Sequence, residues 1–244
     1  MTDNKHTGDG IAAQRSSWSF SGSVARHFDP HVRKSVPYYA EGHSLVCQLT
    51  DYFVRPDSTV YEIGCSTGEL TLKMAKFNHD TKPTAKFIGI DIEKEMIQVA
   101  SEKMEREENH LNVKFEQCDI LGYEFAPSDC IVAYYTVQFI PPKIRQKLIQ
   151  VIYEALNWGG AFIMFEKVRG GDARFQDILT GMYHDYKAQQ GYSGDEIFTK
   201  SMSLRGVLEP FTTEGNLGLL RRAGFVDVEE IFRCICFAGF VAIK

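Results

Sequence analysis

The residues of this chain best suited to chemistry cluster in Val60-Tyr61-Glu62-Ile63-Gly64-Cys65-Ser66-Thr67-Gly68. Gly64 permits a tight backbone turn and the close approach of a ligand, because it carries no Cβ. Gly68 lets a following helix begin near the same ligand. About 27 residues after Gly64, at the end of a second apolar run, stands Asp91; an acidic residue there commonly accepts hydrogen bonds from ribose hydroxyls. A dinucleotide site needs G-x-G-x-x-G with a helix N-terminus facing a pyrophosphate. Here one glycine is missing and Glu62 stands beside the turn. A carboxylate in that place repels a pyrophosphate and suits a nucleoside ligand that carries an amino group and a positive centre.

These groups must be brought together by strands that end side by side. The β-branched run 59–63 reads as a buried strand, with a helix over 69–77 and a second strand over 86–90. A helix over 94–107 places Met96, Ile97, Ala100 and Met104 on one face; its Glu105-Arg106-Glu107-Glu108 face reads as solvated. Strands over 112–117 and 130–135 follow, then Pro141-Pro142 opening a helix over 143–156. Asn157-Trp158-Gly159-Gly160 reads as a turn before a strand over 161–165. The alternation implies an α/β, Rossmann-like, mostly parallel doubly wound sheet. Strands over 225–232 and 235–243 close it, the last antiparallel. Residues 1–16 are polar and Gly/Ser/Asn-rich, and disorder is expected there. Residues 17–244 form a single domain, with an N-terminal helical cap over 17–57 and a helical insert over 169–214 as a lid.

Composition narrows the function classes. A hydrophobic content of 44% over 244 residues is enough for a substantial core. The net charge of −5, with no Lys/Arg stripe, gives no support for nucleic-acid binding. No run approaches ~18 apolar residues, so no membrane span is expected and a cytoplasmic location is. Cysteines 47, 65, 118, 130, 234 and 236 are scattered through apolar runs and read as buried free thiols. Cys234-x-Cys236 lacks metal-ligand spacing, so no metal is expected.

The glycine turn with Glu62 and Asp91 resembles motif I of the class I S-adenosylmethionine (SAM)-dependent methyltransferases. Further segments sharpen this: Lys34-Ser35-Val36-Pro37-Tyr38-Tyr39, Val137-Gln138-Phe139, Phe165-Glu166-Lys167, Met182-Tyr183-His184-Asp185-Tyr186-Lys187, Gly191-Tyr192-Ser193 and Cys236-Phe237-x-Gly239. In this order they resemble the carboxy-SAM synthase family over nearly the whole chain. The resemblance implies a seven-stranded methyltransferase fold, SAM and a small-molecule substrate (prephenate), and a homodimer. It implies cofactor contacts at Tyr39, Glu62, Gly64, Cys65, Ser66, Asp91, Ile92, Asp119, Ile120 and the position of Tyr134. Tyr39 would reach the methionyl carboxylate, Asp91 the ribose, Asp119 the adenine amine, and Ile120 the ring face.

Two positions depart from the family pattern. Tyr134 stands where the family has an Asn. Ser201 stands where it has an Arg that holds the transferred carboxylate, and a serine cannot reproduce that two-donor fork. Arg205 lies one helical turn away and Lys200 is expected to face elsewhere. Tyr134, Tyr183, His184 and Ser201 are the residues expected at the reacting end, with Asp185 and Glu166 as further candidate bases. Several chemistries stay open. SAM's own α-amine could attack its γ-carbon, releasing methylthioadenosine and azetidine-2-carboxylate, with the faces of Tyr134, Tyr135, Tyr183, Tyr186 and Tyr192 around the sulfonium. A small metabolite could accept the methyl group. Carboxy-SAM could form with a relocated cation, or the chain could be an inactive SAM-binding partner subunit.

Overall fold

The computed structural model describes residues 5–9, 11–22, 24–107 and 111–244. Its centre is a seven-stranded sheet: β1 Thr59–Ile63, β2 Lys86–Asp91, β3 Val113–Gln117, β4 Ser128–Tyr134, β5 Leu156–Lys167, β6 Asp227–Cys234 and β7 Phe237–Ile243. The spatial order is β3-β2-β1-β4-β5-β7-β6. The first five strands pair in parallel, and β7 runs antiparallel to both β5 and β6. This is the predicted architecture. Central strands are apolar on both faces because helices cover both. Along β4, Cys130, Val132 and Tyr134 join one core cluster while Ile131 and Ala133 join the other. Helices α2 (Tyr39–Phe53) and α3 (Glu69–Asn78) supply Val46, Leu70 and Met74 to the first. On the opposite face α5 (Pro142–Ala155) and α8 (Thr213–Ala223) supply Leu148, Ile152 and Leu220.

Strand order reverses between β1 and β4. The loops leaving their carboxyl ends therefore diverge and leave a crevice, the usual ligand position in open α/β sheets. Helix α4 (Lys94–Glu105) follows β2, and α1 (Val24–Ser35) packs near it from the N-terminal side. The insert folds as α6 (Ala173–Gln189), capped by Asp172, and α7 (Gly194–Ser203), opened by a Ser193–Glu196 capping box. No helix among the described residues is long and apolar enough to cross a membrane.

One local expectation is corrected. Residues Asn157 to Gly160 are not a turn but the first part of β5. Gly159 N–H donates to the Lys244 carbonyl at 2.8 Å and Lys244 N–H to the Gly160 carbonyl at 3.0 Å, so the end of the chain captures them as strand. In the N-terminal stretch several groups have partners. Backbone of Lys5–His6 pairs with Ala12–Ala13, and Ser16 N–H donates to Met202 O on α7 at 3.0 Å. Asp9 accepts from His31 at 2.9 Å and from Lys34 at 2.7 Å. Residues 1–4 and 10 of that stretch, and Glu108 of the predicted solvated face, lie outside the described residues.

Two buried carboxyls stiffen the strand ends. Glu62 on β1 accepts a hydrogen bond from the Thr71 hydroxyl on α3. Glu166 on β5 accepts from Val137 N–H at 2.9 Å. Burial raises each to about 8. The folded chain thus holds these protons more tightly than the unfolded chain, whose carboxyls titrate near 4.5. Their stabilisation is complete below that lower value and is lost as pH rises to about 8. Thermal midpoints measured from pH 5 to 9 are expected to fall across this range. Glu166→Gln, which mimics the protonated form, should flatten part of the fall, by about a few degrees. An unchanged slope would show that Glu166 ionises without cost. At the turn itself, Gly64 has φ of 67°, and a Cβ there would collide with the Thr136 side chain. Gly64→Ala is expected to cost about 1–2 kcal/mol from the left-handed backbone alone. Adding Thr136→Ala should recover only the collision part in denaturant melts.

Candidate active site

The end of the crevice over β2 and β3 is built by backbone. Gly64 N–H and Cys65 N–H both donate to the Ile90 carbonyl, at 2.7 and 3.0 Å. This bends the β1 loop over the end of β2. Asp91 then accepts from Ser66 N–H at 2.8 Å and Glu93 N–H at 2.9 Å. Burial raises the Asp91 carboxyl above its usual range, while these amides hold it down. Asp119, after β3, accepts from Leu121 N–H at 3.0 Å and opens a short turn that contains Ile120. Ile92 stands exposed beside Asp91.

These groups line one cavity of about 760 Å³, within the usual range for small-ligand sites. The cavity brings together Tyr39, Gly64, Ser66, Asp91, Ile92, Asp119, Ile120, Tyr134, Tyr183, His184 and Ser201 from widely separated segments. Two predicted cofactor contacts stay out of the wall. Glu62 is turned to Thr71 beneath α3, and Cys65 is buried behind the turn. Glu62 points away because alternation along β1 turns it to α3. Glu166, a candidate base, is likewise committed to the loop backbone rather than the cavity.

The far end of the cavity is aromatic. Tyr39 lies 5.2 Å from Tyr134 and 6.3 Å from Tyr135, nearly parallel to the latter. Tyr135 meets Phe237 edge-on at 5.7 Å. Tyr134 donates its hydroxyl to the Tyr39 carbonyl at 2.8 Å and packs over Gly42, where a Cβ would strike it. The Tyr183 hydroxyl donates to the Ser35 carbonyl at 2.8 Å. Burial pushes Tyr39, Tyr134, Tyr135 and Tyr183 above the ordinary phenol range, so all four stay protonated at neutral pH. Tyr135 adopts φ of 60°, a left-handed conformation that costs a non-glycine residue about 1–2 kcal/mol. Such strain collects at functional sites.

Three lysines also line the cavity, each resting on a ring: Lys167 on Tyr183 at 4.2 Å, Lys187 on Tyr192 at 4.6 Å, and Lys200 on Trp18. Desolvation lowers all three, Lys187 to about 8. This corrects the expectation that Lys200 faces elsewhere. Arg205 is absent from the wall and lies exposed beyond the end of α7. Ser201 and His184 are exposed residues of the rim. Trp18 and Phe20 close the cavity from the N-terminal side, with Phe20 edge-on to Phe139 at 4.9 Å. The sequence places Tyr135 among the tyrosine faces of the region but does not assign the lysines to the site. Their signal was adjacency: Lys167 and Lys187 close two of the segments that carry the family resemblance.

SAM fits this cavity on the structure's own terms. The carboxyls of Asp91 and Asp119 stand at one end, a turn without Cβ lies in the middle, and protonated tyrosine faces of a kind that attracts a sulfonium stand at the other. The description "Methyltransferase domain" belongs to the family whose model matches residues 55–192. A putative O-methyltransferase from Nostoc punctiforme superposes with a TM-score of 0.63 and 18% identity, over 91% of this chain and 60% of that one. Human N-acetylserotonin methyltransferase, solved with SAM, gives 0.60 and 16%, over 91% and 56%. At those identities the likeness shows the fold. Closer in sequence is the carboxy-S-adenosyl-L-methionine synthase of Staphylococcus epidermidis, 38% identical over 93% of this chain and 97% of that protein. The enzyme of the same name from Nitratiruptor sp. is 37% identical over 93% of each. With the methyltransferase sheet, the turn over Asp91 and this full-length likeness together, the chain belongs to the carboxy-SAM synthase family of SAM-dependent enzymes.

Proposed function

We propose that this chain cleaves SAM intramolecularly, with the α-amine displacing methylthioadenosine from the γ-carbon to give azetidine-2-carboxylate. The N–Cγ bond forms as the Cγ–S bond breaks. The electron pair leaves on sulfur, and the proton lost from the starting ammonium passes to solvent. One observation carries this reading: the reacting end is walled by Tyr39, Tyr134, Tyr135 and Phe237, while Ser201 stands at the carboxylate-clamp position implied by the resemblance and Arg205 stays outside. In this reading Asp91, Ser66 and Asp119 hold the nucleoside, and Tyr39 receives the methionyl carboxylate. Tyrosine faces attract the sulfonium. Trp18, Phe20 and the insert helices keep water out, and the folded arm gains from proximity. The chain is read as a homodimer, and exposed Phe175, Ile178 and Met182 along α6 offer an apolar stripe that suits a second copy.

A second reading has its own support. Lys167, Lys187 and Lys200 line the same cavity, and the relatives are named for carboxy-SAM synthesis. Under that reading the lysines replace the missing arginine fork as partners for the carboxylates of prephenate.

Incubation with SAM alone, followed by mass spectrometry, separates the two. Methylthioadenosine with azetidine-2-carboxylate is expected. Unchanged SAM that becomes carboxy-SAM on adding prephenate would replace the first reading with the second. S-adenosylhomocysteine formed only with an added acceptor would replace both with methyl transfer. Ser201→Arg is expected to slow the SAM-only reaction severalfold, by setting a second positive charge at the rim of the cavity that receives the sulfonium. Unchanged turnover would remove Ser201 from the reacting end.

A further inference from the structure

Tyr135 carries a hydroxyl that nothing among the described residues uses. Its residue is 8% exposed, it lines the cavity, and its oxygen is buried without a hydrogen-bond partner. The neighbouring Tyr134 hydroxyl is near enough to influence it, but the two do not meet hydrogen-bond geometry, and Tyr134 donates to the Tyr39 carbonyl. An unsatisfied buried hydroxyl is costly, and a phenylalanine would fill the same space without that cost. The backbone is also held in place for this side chain. Tyr135 N–H donates to Phe165 O at 2.7 Å and Gln138 Nε2 donates to Tyr135 O at 3.1 Å, which fixes the left-handed residue from both sides.

We propose that the Tyr135 hydroxyl accepts a hydrogen bond from the α-amino group on the methionine arm of the bound nucleoside, and so selects for that amine. The ring lies nearly parallel to Tyr39, beside the Gly64 turn that the arm must cross. The titratable groups bearing most on the hydroxyl are Tyr134, Tyr39, Glu166 and Cys234, none of which carries a positive charge. A carboxylate partner would find no cation among them, whereas an N–H donor meets a free oxygen lone pair. The three cavity lysines rest on other rings. Because burial keeps the phenol protonated, Tyr135 orients the amine and does not deprotonate it. The inference rests on SAM occupying the cavity, not on which reaction follows.

The test is a binding cycle, read by calorimetry, with S-adenosylhomocysteine and its analogue lacking the α-amine on wild type and Tyr135→Phe. Loss of the amine is expected to weaken binding to wild type about tenfold more than to the variant, the value of one buried hydrogen bond. Equal penalties in both proteins overturn the proposal, because a merely structural Tyr135 would move both ligands alike. Should Tyr135→Phe fail to fold, equal affinity of wild type for the two ligands overturns it as well. If wild type binds neither, the SAM reading of the cavity falls and takes this inference with it. Cyclisation can fail in the SAM-only assay while the cycle still returns its coupling, so the two readings are tested apart.

Discussion

Two backbone amides share one carbonyl: Gly64 N–H and Cys65 N–H both reach Ile90 O. The rest of the site depends on this joint. It forces the β1 loop to fold across the end of β2 rather than continue outward. Only then does Ser66 N–H meet Asp91, and only then does α3 start where its first turns cover β1. The bend requires a left-handed residue, and Thr136 from the β4 loop fills the space a side chain would need. Glycine at this position is therefore a requirement of two loops at once.

The second loop is held by a buried polar lattice rather than by apolar packing. Glu166 accepts from Val137 N–H, the Gln138 side-chain oxygen accepts from Lys167 N–H, and Gln138 Nε2 donates to Tyr135 O. Beneath them the buried Arg145 donates to the carbonyls of Gln138 and Ile140 at 2.9 and 2.7 Å, with Phe211 against its guanidinium. Such networks specify a single arrangement when every member is satisfied. The aromatic end of the cavity thus sits on a rigid hydrogen-bonded base, which is what lets Tyr135 keep a strained backbone.

Much of the fold was legible because its signals are local. The runs that became β1, β2 and β4 are short, apolar and followed at once by turn residues, so strand and helix boundaries fell within a few positions. The extension of β5 back to Leu156 was not legible, because Asn157 to Gly160 look like a turn until the chain end pairs with them. The partners of the N-terminal stretch were equally hidden, since Asp9 meets His31 and Lys34 on α1 and Ser16 meets α7, all far off in sequence. At the site, Lys200 was misread because helical spacing was applied to Arg205, which lies beyond the end of α7. A helical wheel says which residues share a face, not where the helix stops or what covers it.

The sequence by itself determined the sheet class, the glycine turn and the family, because each rests on residue types at short or ordered spacing. Tertiary structure decided which side chains line the cavity. It withdrew Glu62, Cys65 and Glu166 from the cavity wall and turned them to Thr71, the core and the loop backbone. It brought in Lys167, Lys187 and Lys200. The reason is physical: strand alternation assigns a face, but only packing against helices and loops from distant parts of the chain decides whether that face meets core, backbone or ligand.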